Sequence, residues 1–315
     1  MSFLTFVIVN PASQSGATGK YWPELKSALD NVLSNWDFAF TKAPGDATEL
    51  SRKAVMEDYE MIVSVGGDGT MNEVINGLFE SDVTGENPRL LRDDIIIGAV
   101  RSGTGGDFAR LFDLPGRVPA SVSHLAGDHT RKCDLGWVNF IAHDGKPRGQ
   151  AFLNIASFGL SGVVADKINN GSKALGGRIS FYVNTLRALA SYRRQHVKVT
   201  VDEKVFVNEP LVTVAVANGQ FFGGGMHMAP NAQIDDGEFD VVSQIRAGAK
   251  EILRTSDLYS GRAINWQSVR SSRGKVIEAI PFTDESHVLL DVDGEQPGRL
   301  PARFTNFPDA IRLKL

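Results

Sequence analysis

An apolar, β-branched run, Met61-Ile62-Val63-Ser64-Val65, ends abruptly in Gly66-Gly67-Asp68-Gly69-Thr70, and an amphipathic helical pattern (Val74, Ile75, Leu78, Phe79) begins at once. Three glycines in four positions strip the Cβ atoms from this strand-to-helix turn. Its backbone can therefore take positive φ and approach a ligand closely. Free N–H groups in such a turn, with a helix N-terminus behind them, suit phosphate. Asp68 in the middle is a hard oxygen ligand of the kind preferred by the Mg²⁺ that nucleotide phosphates carry. A plainer reading stands beside this one, because Thr70-Met71-Asn72-Glu73 is also a capping box and Gly-Asp-Gly is common in tight turns.

Two other phosphate loops are excluded. Gly16-Ala17-Thr18-Gly19-Lys20-Tyr21 has too few residues between its glycines for a Walker A loop and lacks Ser or Thr after the lysine. Gly103-Thr104-Gly105-Gly106-Asp107-Phe108 starts as a dinucleotide fingerprint but has Phe where the last glycine belongs.

At 315 residues, with 42% hydrophobic and 22% charged residues, the chain suits one large globular domain or two moderate ones. A net charge of −4 argues against a nucleic-acid binder held by electrostatics. No Lys/Arg cluster is dense enough for a polybasic anchor, so membrane contact is expected to be transient. Cys133 is the only cysteine, which leaves no intrachain disulfide and no cysteine-based metal site. The apolar start, Phe3 to Val9, is too short to span a membrane and runs into the turn Asn10-Pro11. A cytoplasmic location, peripheral at the membrane, is expected.

The first 135 or so residues alternate strand and helix. Strands are predicted at Phe3–Val9, Trp36–Phe40, Met61–Val65 and Ile95–Val100. Helices are predicted at Pro23–Leu33, from Asp46 to about Glu57, and at Thr70–Phe79. Short apolar strands between helices imply a parallel sheet covered on both faces. Ligands then sit outside the carboxyl ends of the strands, where both glycine-rich turns lie. Past about Lys132 the runs become rich in Val, Ile, Thr and Phe: Trp137–Ile141, Ala151–Ser157, His196–Val201, Leu211–Ala217, Glu238–Gln244, Lys275–Ile280 and His287–Val292. Only Arg178–Tyr192 and roughly Lys250–Tyr259 read as substantial helices there. The expected fold is thus an α/β N-terminal domain with a parallel sheet (1–135) and a mainly antiparallel β-sandwich domain (136–307). The tail, 308–315, is a strand that can belong to either.

Three further constellations carry chemistry. The turn Arg101–Arg110 repeats the strand, glycines, carboxylate and helix start of the first loop. The segment Gly223-Gly224-Gly225 to Asp235-Asp236-Gly237 joins a triple glycine to a pair of acids. Asp235-Asp236-Gly237 is a hairpin turn or a carboxylate for a divalent ion, and the residues alone favour the turn. Asp291-Val292-Asp293-Gly294-Glu295 ends a strand with three acids in five positions, which in isolation is commonplace in a β-turn.

Together these motifs resemble, across nearly the whole chain, the bacterial diacylglycerol kinases and related lipid kinases, kin of sphingosine and ceramide kinases. The resemblance rests on Asn10-Pro11 with Gly16, Gly66–Thr70 followed by Asn72-Glu73, and Gly103–Ala109. It continues through Asp134–Gly136, Gly223–Gly237 and Asp293–Glu295. It implies an ATP-dependent transfer to a lipid hydroxyl, with diacylglycerol as the expected acceptor. By position, the nucleotide would lie on Gly66, Gly67, Asp68, Gly69, Thr70, Met71 and Asn72. Asn10, Thr41 and Glu73 would border it, with Gly103 and Thr104 of the second turn. Asp68, Asp107 and Asp134 would form an acidic, water-linked network around Mg²⁺. Asp236, with the backbone carbonyls of Gln233 and Glu238, would hold a structural Mg²⁺. Glu295 would be the catalytic base. A lipid partner, transient membrane contact and no nucleic acid follow, and a homodimer is allowed for.

Two departures from the family pattern lie in the second turn, where Gly106 replaces Asn and Arg101 replaces Pro. Two rivals remain: a soluble kinase of the NAD-kinase type, in which Gly-Gly-Asp-Gly also occurs, and a non-catalytic nucleotide- or lipid-binding regulator.

Overall fold

The computed structural model describes residues 3–80, 85–101, 106–111, 122–169, 192–247, 251, 254, 256–283 and 286–315. The N-terminal part runs β1 (Thr5–Val9), α1 (Ala17–Asp30), β2 (Trp36–Phe40), α2 (Asp46–Met56), β3 (Met61–Gly66) and α3 (Asp68–Asn76). The small pair β4 (Phe79–Glu80) and β5 (Arg89–Leu90) precedes β6 (Ile96–Arg101) and the short helix α4 (Asp107–Leu111). Strands β2, β1, β3 and β6 lie side by side and parallel. Period-two alternation divides their side chains between two cores. Val7, Val9, Met61, Val63 and Val65 pack with Trp22, Leu25 and Leu29 of α1, whereas Ile8 and Ile62 pack with α2 and α3. All of β3 is buried, as a central parallel strand covered on both faces must be.

The remainder is β-rich. It comprises β7 (Thr130–Ala142), β8 (Pro147–Phe152), β9 (Ile155–Gly159), α5 (Leu160–Asn169), β10 (Gln195–Val201), β11 (Lys204–Leu211) and β12 (Thr213–Ala217). Then come the short pair β13 (Phe221–Phe222) and β14 (Met226–His227), β15 (Phe239–Gln244), β16 (Val269–Gly274), β17 (Val276–Pro281), β18 (Leu290–Val292) and β19 (Gly298–Lys314). A five-stranded sheet, β16-β15-β12-β9-β18, faces part of a ten-stranded one. Phe158, Val214, Phe239 and Leu290 from the smaller sheet meet Phe152, Val199, Ile277 and Phe304 from the larger to fill the sandwich. The seam between the two parts is β19. It pairs with β17 along its first half and with β7 from Gly298 to Lys314, and at Arg312 and Leu313 it also runs parallel to β6.

Several elements differ from expectation. Helix α1 begins six residues before Pro23, opened by Gly16 in left-handed conformation (φ 85°), so the proline lies inside the helix. The apolar run at 151–157 divides at Leu153-Asn154, and its halves enter different sheets. Helix α5 carries no sequence expectation at all. Residues 178–191 of the helix expected at Arg178–Tyr192 lie outside the described residues, and of the one expected at Lys250–Tyr259 only Ser256–Tyr259 is described as a helix of any length.

Candidate active site

The parallel strands deliver their carboxyl ends to one crevice. The Asn10 N–H donates to the Val65 carbonyl (2.9 Å) and the Thr41 N–H to that of Val9 (2.9 Å), so the chain after each strand stays in register beside the glycine loop. Asn10 Nδ2 donates to Thr70 Oγ1 (3.0 Å), fixing the first turn of α3. Gly66 must be glycine here, because a Cβ would collide with the Thr70 side chain. Met71 and Asn72 face the crevice, but Glu73 does not. The Glu73 carboxylate accepts the Ala47 N–H (3.1 Å) and its carbonyl the Thr48 hydroxyl, so this residue ties α3 to α2. Gly103 and Thr104 lie outside the described residues.

Asp68 joins the two glycine turns. Its Oδ2 accepts the N–H groups of Gly106 (2.9 Å) and Asp107 (3.2 Å). Asp107 in turn pairs with Arg110 (2.6 Å) and accepts the Gly224 N–H (2.8 Å), which pins the triple glycine to the same crevice. Burial pushes the Asp107 carboxyl above its usual range, against the pull of that N–H donor. Asp134 is elsewhere. Both of its oxygens are engaged, one by the Gly237 N–H (2.7 Å) and one by the Asp309 N–H (2.8 Å), so it secures the Asp-Asp-Gly turn against β19. Asp68 and Asp107 thus meet, and Asp134 does not line their cavity.

The Asp-Gly-Glu turn closes the opposite wall. Asp293 accepts four hydrogen bonds: from Asn72 Nδ2 (3.0 Å) and from the N–H groups of Leu153 (2.8 Å), Asn154 (3.0 Å) and Ile155 (3.0 Å). This half-buried carboxylate therefore welds α3, the β8–β9 break and the turn into one unit. Glu295 beyond it takes a hydrogen bond from Asn169 Nδ2 (3.2 Å), and its Oε1 lies 3.8 Å from where a Cβ on Gly69 would stand. The expected base thus faces the glycine loop. Between these walls is a cavity of about 230 Å³, with Asp68, Asp107, Asp291 and Asp293 among apolar groups such as Phe108, Ile155 and Phe222. Asn154 also lines it, and the Asn154 Oδ1 is buried without a partner among the described residues. Nothing in its sequence setting marks Asn154, because the run around it reads as one strand.

The third expected position is occupied differently. Arg273 contacts the Asp236 carboxylate and lies 3.4 Å from both Glu238 and Asp240. The carboxylate expected to hold a metal with the carbonyls of Gln233 and Glu238 is paired through one oxygen with a guanidinium, and its other oxygen accepts the Glu238 N–H (3.1 Å). Among the described residues no three His, Cys, Asp or Glu side chains converge as a metal cage.

A model of the diacylglycerol kinase catalytic domain matches residues 5–138, and a model of the YegS C-terminal NAD kinase beta sandwich-like domain matches 154–315, more than half of the chain. The chain belongs to the diacylglycerol kinase family. A diacylglycerol kinase of Staphylococcus haemolyticus is 29% identical over 98% of this chain and 86% of its own length. One of Bacillus subtilis is 27% identical over 95% and 92%. A crystal structure of a putative diacylglycerol kinase from Bacillus anthracis superposes with a TM-score of 0.75 at 24% identity, covering 100% of this chain and 98% of that one. Yeast NADH kinase complexed with NADH shares the fold at a TM-score of 0.51 and 10% identity, covering 99% and 83%. As a member of this kinase family the protein is a phosphotransferase with an alcohol acceptor, and the family implies ATP and a lipid substrate.

Proposed function

We propose that the protein transfers the γ-phosphoryl group of ATP to the free hydroxyl of diacylglycerol, giving phosphatidic acid. The nucleotide binds on residues 1–135 and the acceptor on 136–307. The observation that carries this reading is Glu295 Oε1 close to Gly69 of the glycine loop, beside a cavity lined by Asp68, Asp107, Asp291 and Asp293 together with apolar groups. In the proposed reaction Glu295 takes the proton of the acceptor hydroxyl. The new O–P bond forms as the bond from Pγ to the bridging oxygen breaks, and ADP leaves. The N–H groups of the 66–70 loop hold the phosphates, and Asn154 Oδ1 accepts a hydrogen bond from the bound acceptor.

Mg²⁺, when bound, neutralises phosphate charge. Hard carboxylate oxygens line the cavity, but Asp68 already accepts two N–H groups and Asp107 is paired with Arg110. They suit an ion that keeps its waters and arrives with the nucleotide better than a protein cage. An acceptor drawn from a bilayer requires transient contact with a membrane, which fits a cytoplasmic, peripheral protein; among the described residues no helix is long and apolar enough to cross one.

Labelled ATP and a panel of lipid acceptors in mixed micelles test the reading, with NAD as the soluble control. Diacylglycerol is expected to be phosphorylated, and labelling of NAD alone overturns the proposal. Glu295→Gln is expected to leave ATP affinity nearly unchanged and reduce kcat by roughly 10²–10⁴-fold, the contribution of a general base. Unchanged turnover dismisses Glu295.

A further inference from the structure

Asp291 stands four residues before Glu295, is 8% exposed and lines the same cavity. Its surroundings differ from those of Asp293, which has four donors. Asp291 Oδ1 accepts a single strong hydrogen bond, from the Gly294 N–H (2.9 Å). Its Oδ2 lies 3.4 Å from Ser157 Oγ, the first of a row of hydroxyls. Ser157 meets Ser161 at 2.8 Å, Ser161 meets Thr213 at 3.0 Å, and Thr213 reaches the Phe158 carbonyl at 3.0 Å.

A proton count sets the direction of this row. A carbonyl cannot donate, so the Thr213 proton goes to Phe158. Ser161 must then donate to Thr213, and Ser157 to Ser161. Three hydroxyls supply three protons, so the Ser157 proton goes to Ser161 at 2.8 Å and none is left for Asp291 Oδ2 at 3.4 Å. The Gly294 N–H is then the one strong donor to Asp291, which favours the neutral carboxyl. Charge balance agrees. The charged groups that act on it are the acids of its own turn, Asp293 and Glu295; the cavity it lines also carries Asp68 of α3 and Asp107 of α4, the latter paired with Arg110. From β9, α5 and β12 come the hydroxyls of Ser157, Ser161 and Thr213. No lysine or arginine lines the cavity among the described residues. A buried carboxylate without a cation or a full set of donors is costly, and taking up a proton removes that cost.

We propose that Asp291 is a positioning residue that works in its protonated form, holding the Asp-Gly-Glu turn through Gly294 and keeping one negative charge out of the cavity that nucleotide phosphates enter. This deepens the kinase reading and rests on it for the identity of the ligand. Burial holds the Asp291 carboxyl at about 7, so its ionisation falls in the working range. Below that pH the cavity accepts the nucleotide; above it a further negative charge opposes the phosphates and loosens the turn that carries Glu295.

The test is the Kd of ATP with Mg²⁺, by titration calorimetry from pH 6 to 9, for wild type, Asp291→Asn and Glu295→Gln. Asparagine reproduces the neutral acid, with its amide donating to Ser157 and its oxygen accepting from Gly294. Wild type is expected to lose about tenfold in affinity relative to Asp291→Asn between pH 6 and 9, a comparison in which the titration of ATP itself cancels. Glu295→Gln is expected to follow wild type. The pH profile of kcat/KM for ATP should fall on its alkaline side in wild type and extend upward in Asp291→Asn. Parallel binding curves for wild type and Asp291→Asn overturn the proposal. Failure of the kinase reading has a different signature, since no acceptor is then phosphorylated at any pH whatever the binding curves show.

Discussion

At the scale of single residues, the molecule shows three ways in which carboxylates withstand removal from water. Asp293 is satisfied by four donors and Asp134 by two N–H groups, whereas Asp291 has one good donor and keeps a proton. That difference has a consequence for stability, and its sign follows from linkage. Below about pH 4 both folded and unfolded chains hold the Asp291 proton. As pH rises the unfolded chain releases it first, so the folded state loses relative stability until about pH 7, where its own proton leaves. The gap from 3.8 to about 7 corresponds to about 4 kcal/mol at 1.36 kcal/mol per pH unit. Asp291→Asn, which cannot ionise, is therefore expected to exceed wild type in stability at pH 8.5 by up to that amount, with the advantage shrinking toward pH 4. Urea unfolding at the two pH values measures it, and an advantage that does not change with pH contradicts the assignment.

At the scale of elements, the second glycine turn shows what its unusual residue does. Gly106 is buried at φ 70°, and its N–H donates to Asp68. Asparagine enters that left-handed region more readily than most residues. Gly106→Asn therefore keeps the N–H and adds a donor, and a several-fold lower KM for ATP is expected. If initial-rate kinetics show binding abolished in a folded variant, glycine is a steric requirement there. Much of this architecture was legible in advance because local rules and tertiary packing agree. The parallel strands carry β-branched runs, and the glycine loop announces itself by the absence of side chains. Where packing overrules local pattern, the reading failed. The β8–β9 break looks like continuous strand, and it is made by the Asp293 carboxylate drawing three successive N–H groups out of the ladder. That acid lies 138 or more residues away in the chain, so no window could find it. The metal role of Asp236 comes from the resemblance alone, and nothing near it in sequence signals that Arg273 contacts its carboxylate.

At the scale of the whole molecule, the site belongs to both halves of the chain and exists only while they are joined. Asp68 and Asn72 come from α3, whereas Asn154 and Asp293 come from the β-rich half, and Asn72 is hydrogen-bonded directly to Asp293. The join is structural as well as local. The last residues of β19 lie beside β6 and β7, with Ala310, Ile311 and Leu313 buried in the core that also contains α2 and α3. Burial of an Ile or Leu side chain is worth about 1.5–3 kcal/mol. Ile311 and Leu313 together thus contribute about 3–6 kcal/mol, a large part of the 5–15 kcal/mol by which domains are ordinarily stable. The same tail supplies the Asp309 N–H to Asp134, and its loss would leave one oxygen of a buried carboxylate without a donor. Deleting residues 309–315 is therefore expected to unfold the N-terminal half, although every residue of the glycine loop remains. Full-length protein should melt in one cooperative transition that ATP moves upward by mass action. The truncated chain should lose that transition and its response to ATP, as followed by calorimetry and by circular dichroism. A truncated protein that melts at the wild-type temperature and still responds to ATP would show that β19 is an ornament of the sheet, and the coupling of the two halves would then have to reside in the Asn72–Asp293 contact alone.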